Sequence, residues 1–428
     1  MLQTLRNAWK IPDLRRKILY TIFLLVVFRF GSVIPVPWID RGALTAWLNG
    51  DNGSTLFDLL NTFSGGAFSQ ATIFAMSITP YINSSIIMQL LCVAIPALER
   101  MSKEGEEGRK KITAITRYLT VVLGAIQAFG LYMTLKNQGA IMTIPGVPSV
   151  VVAITIILSF TAGTAFLMWL GEQITGKGIG NGISMIIFAG IVASVPTMIT
   201  TAWRGFVPDR WWMLVVLAIY SLLSIMFVVL VNQGERRIPV QYAKRVVGRK
   251  MYGGQNSNIP IKVAMAGVIP IIFAMSIMSF PATLAQITGS QTGILVSISN
   301  FITSMPVYPI LYFLLIVGFT YFYTSITFNP IEVSNNIKRN NGMVPGLRPG
   351  RPTTDYISKV LSRITFIGAL FLGIIAVLPI VLTQIFAANM QSLALTGTNL
   401  LIVVGVALET VKEVESQMLM RHYKGFLE

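Results

Sequence analysis

Charge is scarce in this chain. Only 12% of its 428 residues are Asp, Glu, Lys or Arg, and none of the 17 acidic residues sits in the middle of an apolar run. A proton-coupled transporter or an intramembrane aspartyl protease needs carboxylates at such depth, so both are disfavoured. The one histidine, His422, lies near the end of the sequence, which excludes an HExxH zinc helix and a histidine relay. The one cysteine, Cys92, excludes a disulfide framework and a cysteine metal cluster. The stretch Gly176–Gly182 is glycine-rich, but it joins two apolar runs and lacks a Lys-Ser/Thr ending. It reads as a tight turn rather than a phosphate loop. With no catalytic set, metal set or cofactor motif, the chain does not read as an enzyme, and no cofactor is expected.

What the sequence has in abundance is apolar length. Hydrophobic residues make up 54%, and the mean hydropathy is +0.68. Runs of the length a helix needs to cross a hydrocarbon layer of roughly 30 Å lie near 18–37, 71–95, 112–135, 150–171, 183–203, 211–232, 261–287, 307–328, 362–386 and 395–411. Threading these ten spans from an inside N-terminus puts nearly all of the 33 basic residues in cytoplasmic segments. Arg41, Lys136, Arg204 and Arg210 fall outside, Arg117 lies just within the third span, and Arg29 lies within the first. Basic loops are retained on the cytoplasmic side, so both termini are expected there. This asymmetry also accounts for most of the net charge of +16, which would otherwise suggest a nucleic-acid binder. The basic start leads into a run that is too long for a signal peptide and lacks its cleavage pattern, so the first span is expected to be retained.

The expected fold is therefore all-α: a polytopic membrane protein of ten transmembrane helices. Five plus five spans make an N-terminal half, 1–205, and a C-terminal half, 206–428, which enters the membrane from the opposite side. Such halves can form an inverted repeat around a cavity, although Phe188–Val192 only loosely echoes Met265–Ile269. Before the second span, Ser54–Phe63 patterns as an amphipathic helix too short to span, broken by Ser64-Gly65-Gly66. It reads either as an interfacial helix or as a re-entrant piece inside a cavity. Arg29 reads either as snorkelling to the outer interface or as facing a wet cavity. The second span is polar for its depth, with Thr79, Asn83, Ser84, Ser85 and Gln89, and Pro80 near its middle. Helix–helix hydrogen bonding and the lining of a wet seam both account for this. The seventh span carries Pro270, Pro281, Ser276 and Ser279.

Two cytoplasmic loops are longer than a connector requires. Residues 233–262 hold Arg236, Arg237, Lys244, Arg245, Arg249, Lys250 and Lys262 among Tyr242 and Tyr252, and Ile238–Tyr242 alternates as a short hairpin would. Residues 329–363 hold turns at Asn341-Gly342, Pro345-Gly346 and Pro349-Gly350 around Arg348, and Thr353 or Thr354 caps a helix entering the ninth span. A large cytoplasmic partner suits loops of this size, and basic, aromatic-bearing loops suit RNA phosphates.

The residues that decide the matter are Phe28-Arg-Phe-Gly-Ser-Val-Ile-Pro-Val-Pro37, Phe63-Ser-Gly-Gly66, Thr79-Pro-Tyr-Ile82, Ile86-Ile-Met-Gln-Leu90 and Lys103-Glu-Gly-Glu-Glu-Gly-Arg109. To these add Gly180-Asn-Gly-Ile-Ser184, Gln241-Tyr-Ala-Lys-Arg245, Ala266-Gly-Val-Ile-Pro270, Gly346-Leu-Arg-Pro-Gly350 and Glu415-Ser-Gln. Over essentially its whole length the chain resembles the SecY family, the pore subunits of the bacterial Sec protein translocon. The resemblance implies two inverted five-helix halves around an hourglass pore. It implies a pore ring of Ile78, Ile82, Ile187, Ile272 and Ile402, with Ile186 and Ile191 competing in the fifth span and Leu401 in the tenth. It implies a plug helix at about 55–68, with Thr55, Leu56, Phe57, Leu60, Phe63, Gly65 and Gly66. The second and seventh spans become a lateral gate, with Asn83, Ser84, Gln89, Ser276 and Ser279. Arg236, Arg237, Lys244, Arg245, Arg249, Lys250 and Arg348 become docking residues for SecA and the ribosome. The implied partners are SecE, SecG, SecA, the ribosome through its rRNA, signal sequences and nascent polypeptides, and membrane lipids. The implied role is a passive channel in the bacterial inner membrane that passes unfolded secretory chains and releases hydrophobic segments sideways. The alternative class is a multispan secondary transporter of a small solute.

Overall fold

An apolar helix stands on each of the predicted runs. The computed structural model describes residues 6, 8–48, 61, 64–142, 146–204, 211–242, 245–247, 250–252, 256–265, 267–288, 297–298, 301–302, 304, 306–385 and 391–424. In chain order the helices are α1 Pro12–Gly31, α2 Arg41–Leu48, α3 Thr79–Ala94, α4 Pro96–Lys103, α5 Glu106–Asn137, α6 Ser149–Lys177, α7 Gly182–Arg204, α8 Trp211–Gln233, α9 Ile269–Thr288, α10 Val307–Thr327, α11 Pro330–Arg339, α12 Arg351–Ile385 and α13 Gln391–Lys424. Four helical stretches, Glu106–Asn137, Ser149–Lys177, Val307–Arg339 and Arg351–Val381, are each long and apolar enough on their own to cross a membrane. Large apolar side chains face outward along them and their neighbours; Leu222 is 69% exposed and Leu314 60%. On a protein this apolar, such a surface belongs against lipid. The chain is a multi-pass membrane protein.

Prolines set several boundaries differently from the sequence reading. The second run does not become one helix over 71–95. Residues 64–78 form a succession of turns, with Ala71 at φ 47 and Ser77 at φ 53, and the helix starts only at Thr79. Pro80 therefore sits in the first turn, where its missing N–H costs nothing, and not mid-span. Ile95, held extended before Pro96, ends α3, and α4 leaves at 102° to it. Pro270 likewise opens α9 rather than weakening it; Pro281 is the interior one. Thr353 and Thr354 do not cap α12. They lie in its first turn and donate back to Arg348 O and Gly350 O. The glycine-rich stretch 176–182 is the tight turn it reads as, with Gly180 at φ 75 between α6 and α7.

Packing follows the chain order. In the first half α5 lies on α3 and α6, and α6 on α1 and α7; in the second, α12 lies on α10 and α13, and α13 on α8. Between them, α9 packs on α3 and α5, and α13 on α7.

The two long loops form a small separate body. Strands β1 Glu235–Tyr242 and β4 Asn256–Lys262 are antiparallel, as the alternation from Ile238 suggests, and β2 Arg245–Val247 pairs with β3 Lys250–Tyr252. The two-residue strand β5, Gly342–Met343, comes from the other loop and pairs on the free edge of β1. Ile238, Val240 and Ile261 pack beneath this sheet against Ile337, Val344, Ile357 and Leu361.

Candidate functional site

The five ring isoleucines come from α3, α7, α9 and α13, and they converge. Ile78 at the N-cap of α3, Ile187 and Ile402 are buried in one apolar cluster with Phe28, Phe74, Leu167 and Val406. Ile82, one turn beyond Ile78, and Ile272 are partly buried and pack against the same cluster. The rivals divide. Leu401 belongs to a different cluster, with Ile271 and Tyr312, whereas Ile186 and Ile191 share the central one with Ile187. Membership thus favours Ile402 over Leu401 and does not separate the three candidates on α7.

Next to the ring lies the turn-built layer 64–78. Ser64, Ala67, Phe68, Thr72, Phe74 and Ser77 in it are buried. It is tied to the outgoing end of α1 by an isolated bridge between Pro35 and Thr72 and by Ile73 N–H donating to Ile34 O. Gly65 and Gly66 turn with φ of 66 and 86. Of the other plug residues, Thr55, Leu56, Phe57, Leu60 and Phe63 lie outside the described residues. Arg29, in the last turn of α1, donates through Nη1 to Gly65 O at 2.9 Å. Neither reading of this arginine from sequence anticipates that bond.

The polar residues of the seam between α3 and α9 are satisfied locally. Ser84 Oγ donates to Pro80 O and Ser279 Oγ to Ser276 O, each within its own helix. Gln89 Nε2 reaches Ser85 Oγ at 3.4 Å, also within α3. Asn83 is half-buried, and Ser276 is buried on α9.

Toward the loop body there is a cavity of about 360 Å³ whose lining includes Asn232, Lys262, Tyr323, Glu409, Lys412 and Glu413. It begins one helical turn from the ring, since Ser184, Val268 and Gly405 line it too. Lys412 Nζ donates to Asn232 O at 3.1 Å. Burial, and then the like charge of Lys262, push the Lys412 ammonium below its ordinary pKa. Sequence reading missed this feature. Its signal was there: 409, 412 and 413 share a helix face at i, i+3 and i+4.

Of the docking candidates, Arg236, Arg237 and Arg348 are exposed, and Arg237 Nη2 pairs with Glu235 Oε1 at 2.6 Å. Arg245 and Lys250 lie in β2 and β3, while Lys244 and Arg249 fall outside the described residues. The loops that carry these residues are one body, not two.

Comparison with known proteins decides the family. The SecY family model matches residues 72–411. The chain belongs to the SecY family. It is 47% identical over 439 residues to the protein translocase subunit SecY of Halalkalibacterium halodurans, and 45% identical over 437 residues to that of Bacillus subtilis, with both chains covered completely in each case. To the SecY of Thermotoga maritima it is 45% identical over 437 residues, covering all of this chain and 98% of the relative. Among solved structures it resembles a protein-conducting channel with TM-score 0.65 at 19% identity, over 94% of this chain and 92% of the other. It resembles Sec61 of a canine ribosome-channel complex from the endoplasmic reticulum with TM-score 0.61 at 18% identity, over the same shares. These likenesses extend the shared fold to nearly the whole chain.

Proposed function

We propose that this chain is the protein-conducting channel of a Sec translocon, passing unfolded secretory polypeptides across the cell membrane and releasing hydrophobic segments sideways into it. The convergence of five isoleucines from both halves on one apolar cluster carries the reading. A ring of bulky aliphatics can close around a passing chain and dewets when empty, so it blocks ions without using charge. The mixed-charge cavity beside it gives an unfolded chain a wet entry from the side of the loops. The seam between α3 and α9 supports a lateral gate, because Ser84 and Ser279 spend their hydroxyls on their own helices. A segment that inserts there has only apolar contacts to part.

On this reading the loop body faces the cytoplasm together with both termini, and the membrane is the bacterial inner membrane. The halves 1–205 and 206–428 are the two inverted units. Arg236, Arg237, Lys244, Arg245, Arg249, Lys250 and Arg348 meet SecA or ribosomal RNA, residues 55–68 plug the outer funnel, and SecE and SecG complete the complex. The driving force comes from the docked partner, and the channel itself performs no chemistry.

The test is reconstitution. The purified chain with its companion subunits goes into vesicles with SecA, ATP and a secretory precursor. The precursor should become protected from external protease. Vesicles that protect nothing but accumulate a small solute would return the chain to the secondary transporters.

A further inference from the structure

Irregular backbone buried among apolar helices needs a protein partner for every N–H and C=O, since lipid offers none. The layer 64–78 obtains most of its partners locally: Gly66 N–H donates to Asn61 O, Thr72 N–H to Ala67 O, and Ser77 N–H to Phe74 O. Gly65 O accepts from a side chain instead, and that side chain is the one charge in the first apolar run. The position is confined. A Cβ on Gly65 would come within 3.1 Å of Gly190 O on α7 and 3.3 Å of Arg29 Nη1, and the residue takes φ 66, a conformation that suits glycine. The turn is thus held between α7 on one side and the arginine of α1 on the other. From it the chain runs through Ala67 and Phe74, both in the central apolar cluster, straight to Ile78.

We propose that Arg29 is a positioning residue for the ring: by holding Gly65 O it fixes one end of the layer whose other end sets Ile78. The inference rests on the ring reading and adds to it a residue that touches none of the five isoleucines' roles. A hydrogen bond with a charged donor is stronger than a neutral one, and the last turn of a helix is a favourable place for a cation. Without the donor, Gly65 O is left unpaired beside apolar side chains. The layer then relaxes toward water, and Ile78 moves with it.

Ion conductance of the purified complex in a planar bilayer tests this, with thermal unfolding of the same folded, monodisperse fraction measured alongside. Arg29→Gln should conduct at rest roughly tenfold more than the unmodified complex, the shift expected from losing one charged hydrogen bond in a closed–open equilibrium. Arg29→Lys retains a charged donor and should seal substantially better than Arg29→Gln, and neither change should lower the unfolding midpoint appreciably. The proposal is overturned if Arg29→Gln seals like the unmodified complex, if it unfolds early without a leak, or if Arg29→Lys leaks just as much. Ile82→Ala with Ile272→Ala serves as reference. If that pair leaks and Arg29→Gln does not, the arginine loses its role while the ring stands; if neither leaks, the ring falls and takes this inference with it.

Discussion

Gln241 stands opposite Met343 in an antiparallel pair. Two loops separated by α9 and α10 in the chain are thereby one object. The join is close: a Cβ on Gly342 would lie 2.9 Å from the Tyr242 ring. Beneath it, Ile261 is fully buried between the loops' apolar side chains. Ile261→Ala should therefore loosen the whole body at a cost of about 2–5 kcal/mol, while leaving the membrane helices intact. Hydrogen exchange at the β1 and β4 amides should quicken, and binding of SecA and of the ribosome should weaken together. Weakening of only one would show that the two loops act separately.

Arg348 is exposed on the shoulder of this body, while its carbonyl accepts from Thr353 Oγ1 at 2.8 Å. The backbone holds the loop's shape and leaves the side chain replaceable. Arg348→Glu should change stability by no more than about 0.5 kcal/mol, as solvated positions do. Against an acidic partner surface the reversed charge should nevertheless cut SecA-driven secretion severely. Normal secretion by this variant would reduce Arg348 to a residue that only helps orient the chain.

The orientation has its own check. Ser297 and Lys338 are both exposed, and the topology puts them on opposite sides of the membrane. In a Cys92→Ser background, a cysteine at 297 should react with an impermeant thiol reagent added to intact cells, and one at 338 should not. The reverse labelling would invert the topology and detach the loop body from every cytoplasmic partner.

Much of this architecture was legible because hydropathy is a local property that a run of apolar residues carries whole. Ile238–Tyr242 showed its strand for the same reason. Its pairing with Met343 was not legible, since nothing within either loop encodes the other's register. The start of the second helix was misread because Ala71 and Ser77 adopt positive φ in a run that is apolar throughout, and composition does not report backbone sign. The ring was visible only through the family resemblance; an isoleucine in an apolar helix carries no mark of facing a pore. Arg29 announced itself as an anomaly, but its partner is a backbone carbonyl, and carbonyls are not written in a sequence.

The ring makes the last prediction. Ile82 and Ile272 are only partly buried, whereas Ile156 is fully buried in the core of the first half. If the two face the narrow gap, shortening them removes methyls that meet water or the empty lumen rather than close-packed neighbours. Alanine is the right replacement because glycine would add a helix penalty of about 1 kcal/mol at each site, within α3 and α9. The double variant should then wet and widen the constriction, and the resting complex should conduct ions. Its stability loss should fall well below the roughly 2–5 kcal/mol expected of a single fully buried truncation such as Ile156→Ala. Ile156→Ala should behave oppositely, losing stability without gaining current. The two variants share chemistry and differ only in what surrounds the side chain. Conductance from the Ile156 variant, or a large stability loss without current from the pair, would assign Ile82 and Ile272 to ordinary helix packing.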